Sequence, residues 1–196
     1  MKKKGGVQGF TIAMFIVVIV VVAFYSIMTN RFGSRPEEQS SSEVDKLLNY
    51  DFVDNYPKTV RETVKLHCRY MKCAYNDNFT KEQLYTVNQN IRQLMDTELL
   101  AINSEESQLQ ALENDIQFYI DNKQKYVSYS LAEASQIKYN TENDVEYAKI
   151  RVGTMLRVDG ATVKGDQEYL LRKDAQGRWK LLGWQADTGS AAAESE

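Results

Sequence analysis

The chain has 196 residues, 43% of them apolar and 11% aromatic, with a formal net charge of −3. This length gives room for one ordinary domain plus accessories. Twelve Tyr, seven Phe and two Trp give a core something to bury, which excludes a wholly disordered chain.

The first element lies in the gap between Lys4 and Arg31, which holds no charged residue. Within it Phe10 to Met28 reads FTIAMFIVVIVVVAFYSIM. As a helix rising about 1.5 Å per residue this run spans roughly 28 Å, close to a hydrocarbon core of about 30 Å. It is therefore predicted to cross the lipid bilayer once. Its polar side chains, Thr11, Tyr25 and Ser26, sit near its ends. A cleaved signal peptide shares the basic start Lys2-Lys3-Lys4, but its apolar run is usually about 7–15 residues. The exit VVAFYSIMTN also offers no small-x-small site.

Charge sets the expected orientation. Three Lys and the terminal amine precede the span, which places residues 1–9 in the cytoplasm and the rest outside. Removing the five basic residues of positions 1–36 leaves 19 Lys and Arg against all 27 Asp and Glu, a net charge of −8. Such a surface repels phosphate backbones and argues against nucleic acid as a partner.

Residues 29–43 read as a polar linker with Gly33, Pro36 and a Ser run. Residues 44–186 carry the periodic patterns of one domain, and 187–196 read as a disordered tail.

In the domain, Val44, Leu47 and Leu48 hint at a short amphipathic turn leading to Phe52. Thr59-x-x-Glu62 is a capping box, and Val60, Val64, Cys68, Met71 and Tyr75 follow at helical spacing. Leu66, Tyr70 and Cys73 widen that apolar face. Cys68 and Cys73 are five apart, so on one helix they diverge by about 140° and cannot bridge. His67, Cys68 and Cys73 invite a metal reading, but the chain has no other His or Cys to complete the set, and no metal or cofactor is predicted. Thr80-x-x-Gln83 opens a second helix, with Leu84, Val87, Ile91, Leu94, Met95 and Leu99 in period. A third follows Asn103-Ser104, with Leu109, Leu112, Ile116 and Tyr119/Ile120 expected to face inward.

The period then falls from 3.6 to 2. Val127, Tyr129 and Leu131 alternate with small polar residues, and Ile137 and Tyr139 continue the segment to the turn Thr141–Asp144. Ala148, Ile150, Val152, Thr154, Leu156 and Val158 form a long strand, in which Gly153 reads as a bulge or bend. Asp159-Gly160 is a hairpin turn. Glu168–Lys173 and Arg178–Ala186 flank the turn Asp174–Gly177. On the last strand Trp179, Leu181 and Gly183 share one face, and Leu182 and Trp184 the other. Helices first and meandering strands after them predict an α+β domain of about three helices on a curved antiparallel sheet of about four strands.

This order resembles the NTF2-like (cystatin-like) cone, and EYLLRKDAQGRWKLLGWQ (Glu168–Gln185) resembles that fold's closing hairpin. With NYPKTVRETVKL and MKCAYNDNFTKEQL, the chain also resembles an uncharacterised family of single-span proteins of anaerobic Gram-positive bacteria. The resemblance implies a fold and no activity, because NTF2-like domains include enzymes, binding modules and scaffolds. It does imply a precedent: single-span proteins with such outer domains serve as assembly factors of secretion and conjugation channels.

No phosphate loop, nucleophile elbow, Walker lysine or paired-carboxylate pattern is present. His67 could act as a general base, yet a lone His on an apolar flank is more often structural. Tyr70, Tyr75, Tyr129, Tyr147 and Tyr169 could line a pocket but sit at core spacing. The expected function is thus an extracytoplasmic interaction or scaffold domain, not an enzyme, that binds another cell-envelope protein. The expected anchors are Tyr147, Arg151, Arg172 and Trp184 on the sheet's exposed face. Two alternatives stand beside it: a small-molecule module using the cone pocket, and a cone-type enzyme.

Overall fold

The computed structural model describes residues 43–186. The expected span at 10–28, the residues before it, most of the linker and the tail lie outside the described residues. Among the described residues no helix is long and apolar enough to cross a membrane.

The domain is α+β, with five helical segments preceding five antiparallel strands. Residues 43–48 form helix α1, whose Leu47 is buried. Helix α2 spans Val60–Asn76 and starts at the expected capping box. Glu62 N–H donates to Thr59 Oγ1 at 3.1 Å, and Glu62 Oε2 accepts from the Thr59 and Lys58 N–H groups. Nine of its residues are buried, among them Val60, Val64, His67, Cys68, Tyr70 and Ala74, so α2 is the helix around which the core closes. Its last residue is tied to the sheet: Asn76 Nδ2 donates to Tyr126 O at 2.7 Å, and Tyr126 N–H donates back to Asn76 Oδ1 at 3.0 Å.

Helix α3, Lys81–Gln93, opens on the predicted Thr80/Gln83 box. The sequence periodicity continues through Leu99, but the helix stops at Gln93. There Met95 bridges to the last strand: Leu181 N–H donates to Leu94 O at 2.7 Å and Asp96 N–H to Leu181 O at 2.8 Å. Asp96 then caps the short helix α4, Thr97–Ile102. Long-range pairing outweighs local period here and divides one expected helix into two; with α1 added, about three expected helices become five. Helix α5, Glu105–Asp121, buries only Leu112. Leu109 and Ile116 pack on the core, but Ile120 is 60% exposed, which corrects its inward assignment. Tyr119 instead stacks on Tyr75, with ring centroids 4.1 Å apart.

The strands are β1 (Gln124–Leu131), β2 (Lys138–Glu142), β3 (Val145–Val158), β4 (Ala161–Lys173) and β5 (Trp179–Ala186). The single extended segment expected from Val127 to Tyr139 is broken by a 3₁₀ turn, Ala134–Gln136. It therefore yields two strands, and both pair with one edge of β3. Strand β4 takes the other edge of β3, and β5 pairs with β4. Both two-residue turns, Asn143-Asp144 and Asp159-Gly160, have positive φ throughout, which suits a right-twisted hairpin.

The inner face carries Ala148, Ile150, Val152, Tyr169, Leu171, Trp179 and Leu181, all buried. Gly153 is no bulge, because it pairs in register with Ser130 and Asp166. It lies at a close approach, where a Cβ would meet Ser130 Oγ at 2.8 Å. The bulges fall elsewhere. Tyr126 opposes Leu156 while Ser128 opposes Met155, and Leu171 opposes Leu181 while Leu170 opposes Gly183. Val127 and Leu182 are thus the extra residues.

Candidate functional site

The bulge at Leu182 decides where the site lies. Strict alternation would send Trp184 to the outer face with Leu182. The extra residue inverts the parity, and Trp184 opposes buried Tyr169 instead. Its ring sits 4.6 Å from that of His67 and 5.9 Å from that of Tyr169, centroid to centroid.

The four expected surface anchors therefore do not form one patch. Tyr147 and Arg172 are directly opposed on β3 and β4, with Arg151 four residues beyond Tyr147 on the same outer face. Trp184 belongs to the inner face, which corrects its place among them. Arg172 is also engaged. Its Nε and Nη2 donate to the two carboxylate oxygens of Asp96 at 3.0 and 2.5 Å, and its Nη1 donates to Glu98 Oε1 at 2.5 Å. The Asp96 side chain is only 4% exposed, so this bidentate pair braces α4 against the sheet.

On the inner side, a cavity of about 280 Å³ opens between α2, the α3–α5 segment and β5. Met71, Ile91, Met95, Leu99, Leu112 and Trp184 make it apolar, while Asn103, Gln108 and Asp115 bring polar groups. Ala111 and Asp115 are exposed, so the cavity reaches the surface along α5. Gln108 is fixed there by Arg92, whose Nη1 donates to Gln108 Oε1 at 2.7 Å.

His67 is the buried polar group in this wall. It is 0% exposed, and burial pushes its pKa down to about 4, so the ring is neutral at pH 7. Its Nδ1 lies 3.2 Å from Tyr169 Oη, and Tyr169 Oη lies 3.4 Å from Gln167 Oε1. Tyr169 O–H has one proton to give, to Gln167 Oε1, which only accepts, or to His67 Nδ1, which is nearer. With the proton directed at Gln167, Tyr169 Oη accepts from His67 Nδ1–H, and the lone pair is left on Nε2. That nitrogen is buried and has no hydrogen-bond partner among the described residues.

Cys68, next to His67, places Sγ 3.9 Å from Tyr169 Oη. Both cysteines are free and buried, and burial pushes each thiol up to about 12, too high for a nucleophile at neutral pH. None of the five tyrosines considered as pocket residues lines the cavity. Tyr169 acts one step behind it, by holding His67. Met95, Asp115 and Trp184 were not foreseen as cavity residues. The adjacent Leu181-Leu182 pair, two apolar residues where alternation allows one, was the available signal for Trp184.

A family model described as "Domain of unknown function (DUF6715)" matches residues 1–184. No curated protein matches the chain. Among solved structures that it resembles is the solution structure of TraH from the Gram-positive conjugative plasmid pIP501, at 15% identity. That match covers 67% of this chain and 96% of the other, with a TM-score of 0.36.

Proposed function

The chain belongs to the DUF6715 family of domains of unknown function, and from that premise we propose that it is a membrane-anchored binding module whose outer domain holds a small apolar molecule and performs no chemistry. Residues 10–28 anchor it in the cell membrane, residues 1–9 stay in the cytoplasm, and the NTF2-like domain works outside. The uncharged apolar run and the three lysines before it support the anchor and its direction. Protease added to intact cells should remove the domain and leave a small membrane-embedded stub. A secreted fragment beginning near Ser26 to Gly33 would overturn the anchor.

One observation carries the binding reading: an apolar cavity of about 280 Å³ with a buried, unpartnered nitrogen in its wall. Ligand sites are concave, mostly apolar and fitted with few polar groups. Ala111 is exposed and lines the cavity, so Ala111→Trp should cover the space without disturbing the core. Native mass spectrometry of the full-length chain should find a small-molecule adduct that the variant loses. An adduct retained by the variant would place the ligand elsewhere.

A second reading, contact with a cell-envelope protein through the outer sheet face, draws on Tyr147 and Arg151 and on the half-buried Leu170 of that face. Of the other two expected anchors, Arg172 is paired with Asp96 and Glu98, and Trp184, 37% exposed, lies on the opposite face.

A further inference from the structure

We propose that the molecule held in this cavity is a neutral alcohol or phenol of about the size of a substituted benzene, which donates its hydroxyl hydrogen to His67 Nε2. The inference rests on the cavity being a ligand site, and three features narrow the chemistry.

The first is size. A dry cavity of roughly 150 Å³ already accepts benzene, so about 280 Å³ admits a ring with a few further atoms. It falls short of the roughly 300–1,000 Å³ of sites for larger ligands. Met71 and Met95 are both lining residues, and their unbranched thioethers adapt to an irregular outline.

The second is the direction of the hydrogen bond. In this proposal Nδ1–H donates to Tyr169 Oη and Tyr169 O–H to Gln167 Oε1, which makes Nε2 the acceptor. The ligand must therefore supply the hydrogen. A lone water is a poor substitute, because a buried water needs about two to four polar partners and the groups facing it are chiefly aliphatic and aromatic.

The third is charge. An anion would meet a lone pair within and the Asp115 carboxylate in the cavity lining. A cation would lose its hydration against Met71, Leu112 and Trp184 without a buried counter-charge. A hydroxyl attached to an apolar body avoids both costs, and it satisfies a buried acceptor that is otherwise unpaired.

The test uses ¹⁹F NMR titration of the full-length chain with three probes. These are 4-fluorophenol, which donates and accepts, 4-fluoroanisole, which only accepts, and fluorobenzene, which does neither. The phenol should bind about tenfold more tightly than fluorobenzene, the equivalent of one neutral hydrogen bond. In His67→Phe that preference should shrink to about twofold while fluorobenzene still binds. Should His67→Phe not fold, Tyr169→Phe serves instead: it removes the acceptor for Nδ1–H, frees the tautomer and should also blunt the preference. Equal binding of phenol and fluorobenzene to the wild type would overturn the hydroxyl inference and leave the cavity reading standing. A preference for the anisole would show that Nε2 carries the proton, again against the inference. If no probe binds, the cavity reading itself falls.

Discussion

The two faces of the sheet solve opposite problems. On the outer face, long charged side chains are matched across the strands: Lys149 with Glu168 at 3.0 Å, and Arg172 with Asp96 and Glu98. On the inner face the aromatic and aliphatic side chains pack to near-zero exposure, except beside His67 and Trp184, where volume and a hydrogen-bonding nitrogen are both left over. Side-chain types that attract attention in a sequence, Arg and Trp, do not by themselves mark a site. Arg172 is consumed by structure. The unspent capacity lies with a histidine that local pattern alone makes structural.

That contrast predicts unequal consequences for cutting ion pairs on the outer face. Arg172→Ala strands the Asp96 carboxylate, whose side chain is 4% exposed, and should cost about 3–5 kcal/mol in denaturant unfolding. Lys149→Ala breaks a pair whose side chains are 50% and 31% exposed, and it should cost less than about 1 kcal/mol. Similar values for the two would erase the distinction between a bracing charge pair and a solvated one.

A smaller effect, and a sharper probe of the inner face, comes from pH. His67 titrates near 6.5 when unfolded and is held at about 4 by burial in the fold. Below about pH 6.5 the unfolded chain takes up a proton that the folded chain refuses, so stability falls as pH drops and levels off below about 4. The full difference is about 3 kcal/mol. It should appear as a slope present in the wild type and missing from His67→Phe, once the carboxylate titrations common to both are subtracted. Parallel pH curves would mean that His67 is not sealed from water.

Much of the fold was legible because much of it is local. Both capping boxes, the α2 stripe and the Asp159-Gly160 turn depend on residues a few positions apart, and each occurs as its pattern dictates. The departures share a cause of the other kind. Helix α3 yields at Leu94 because Leu181, far along the chain, offers backbone hydrogen bonds. Arg172 finds its carboxylate 76 residues away, beyond the reach of any periodicity. Ile120 keeps helical spacing on α5 yet stays exposed, because period gives a face and not the presence of a neighbour to cover it. For the candidate site, His67 was visible as a possibility. Its partner Tyr169 and the turned Trp184 required knowing which residues oppose each other across β4 and β5.

The extra residue at Leu182 gives chain length a meaning of its own at this point. Sequences are usually compared by which letter occupies each column, but here the number of letters between Leu181 and Trp184 carries the information. Loss of one residue would return Trp184 to the solvent side of the strand without altering its identity. A homologue that keeps the tryptophan but shortens this stretch by one would therefore lack a wall of the cavity, while one that keeps the length and replaces Trp184 by another aromatic would retain it. Spacing, more than identity, is the trait to follow through related chains.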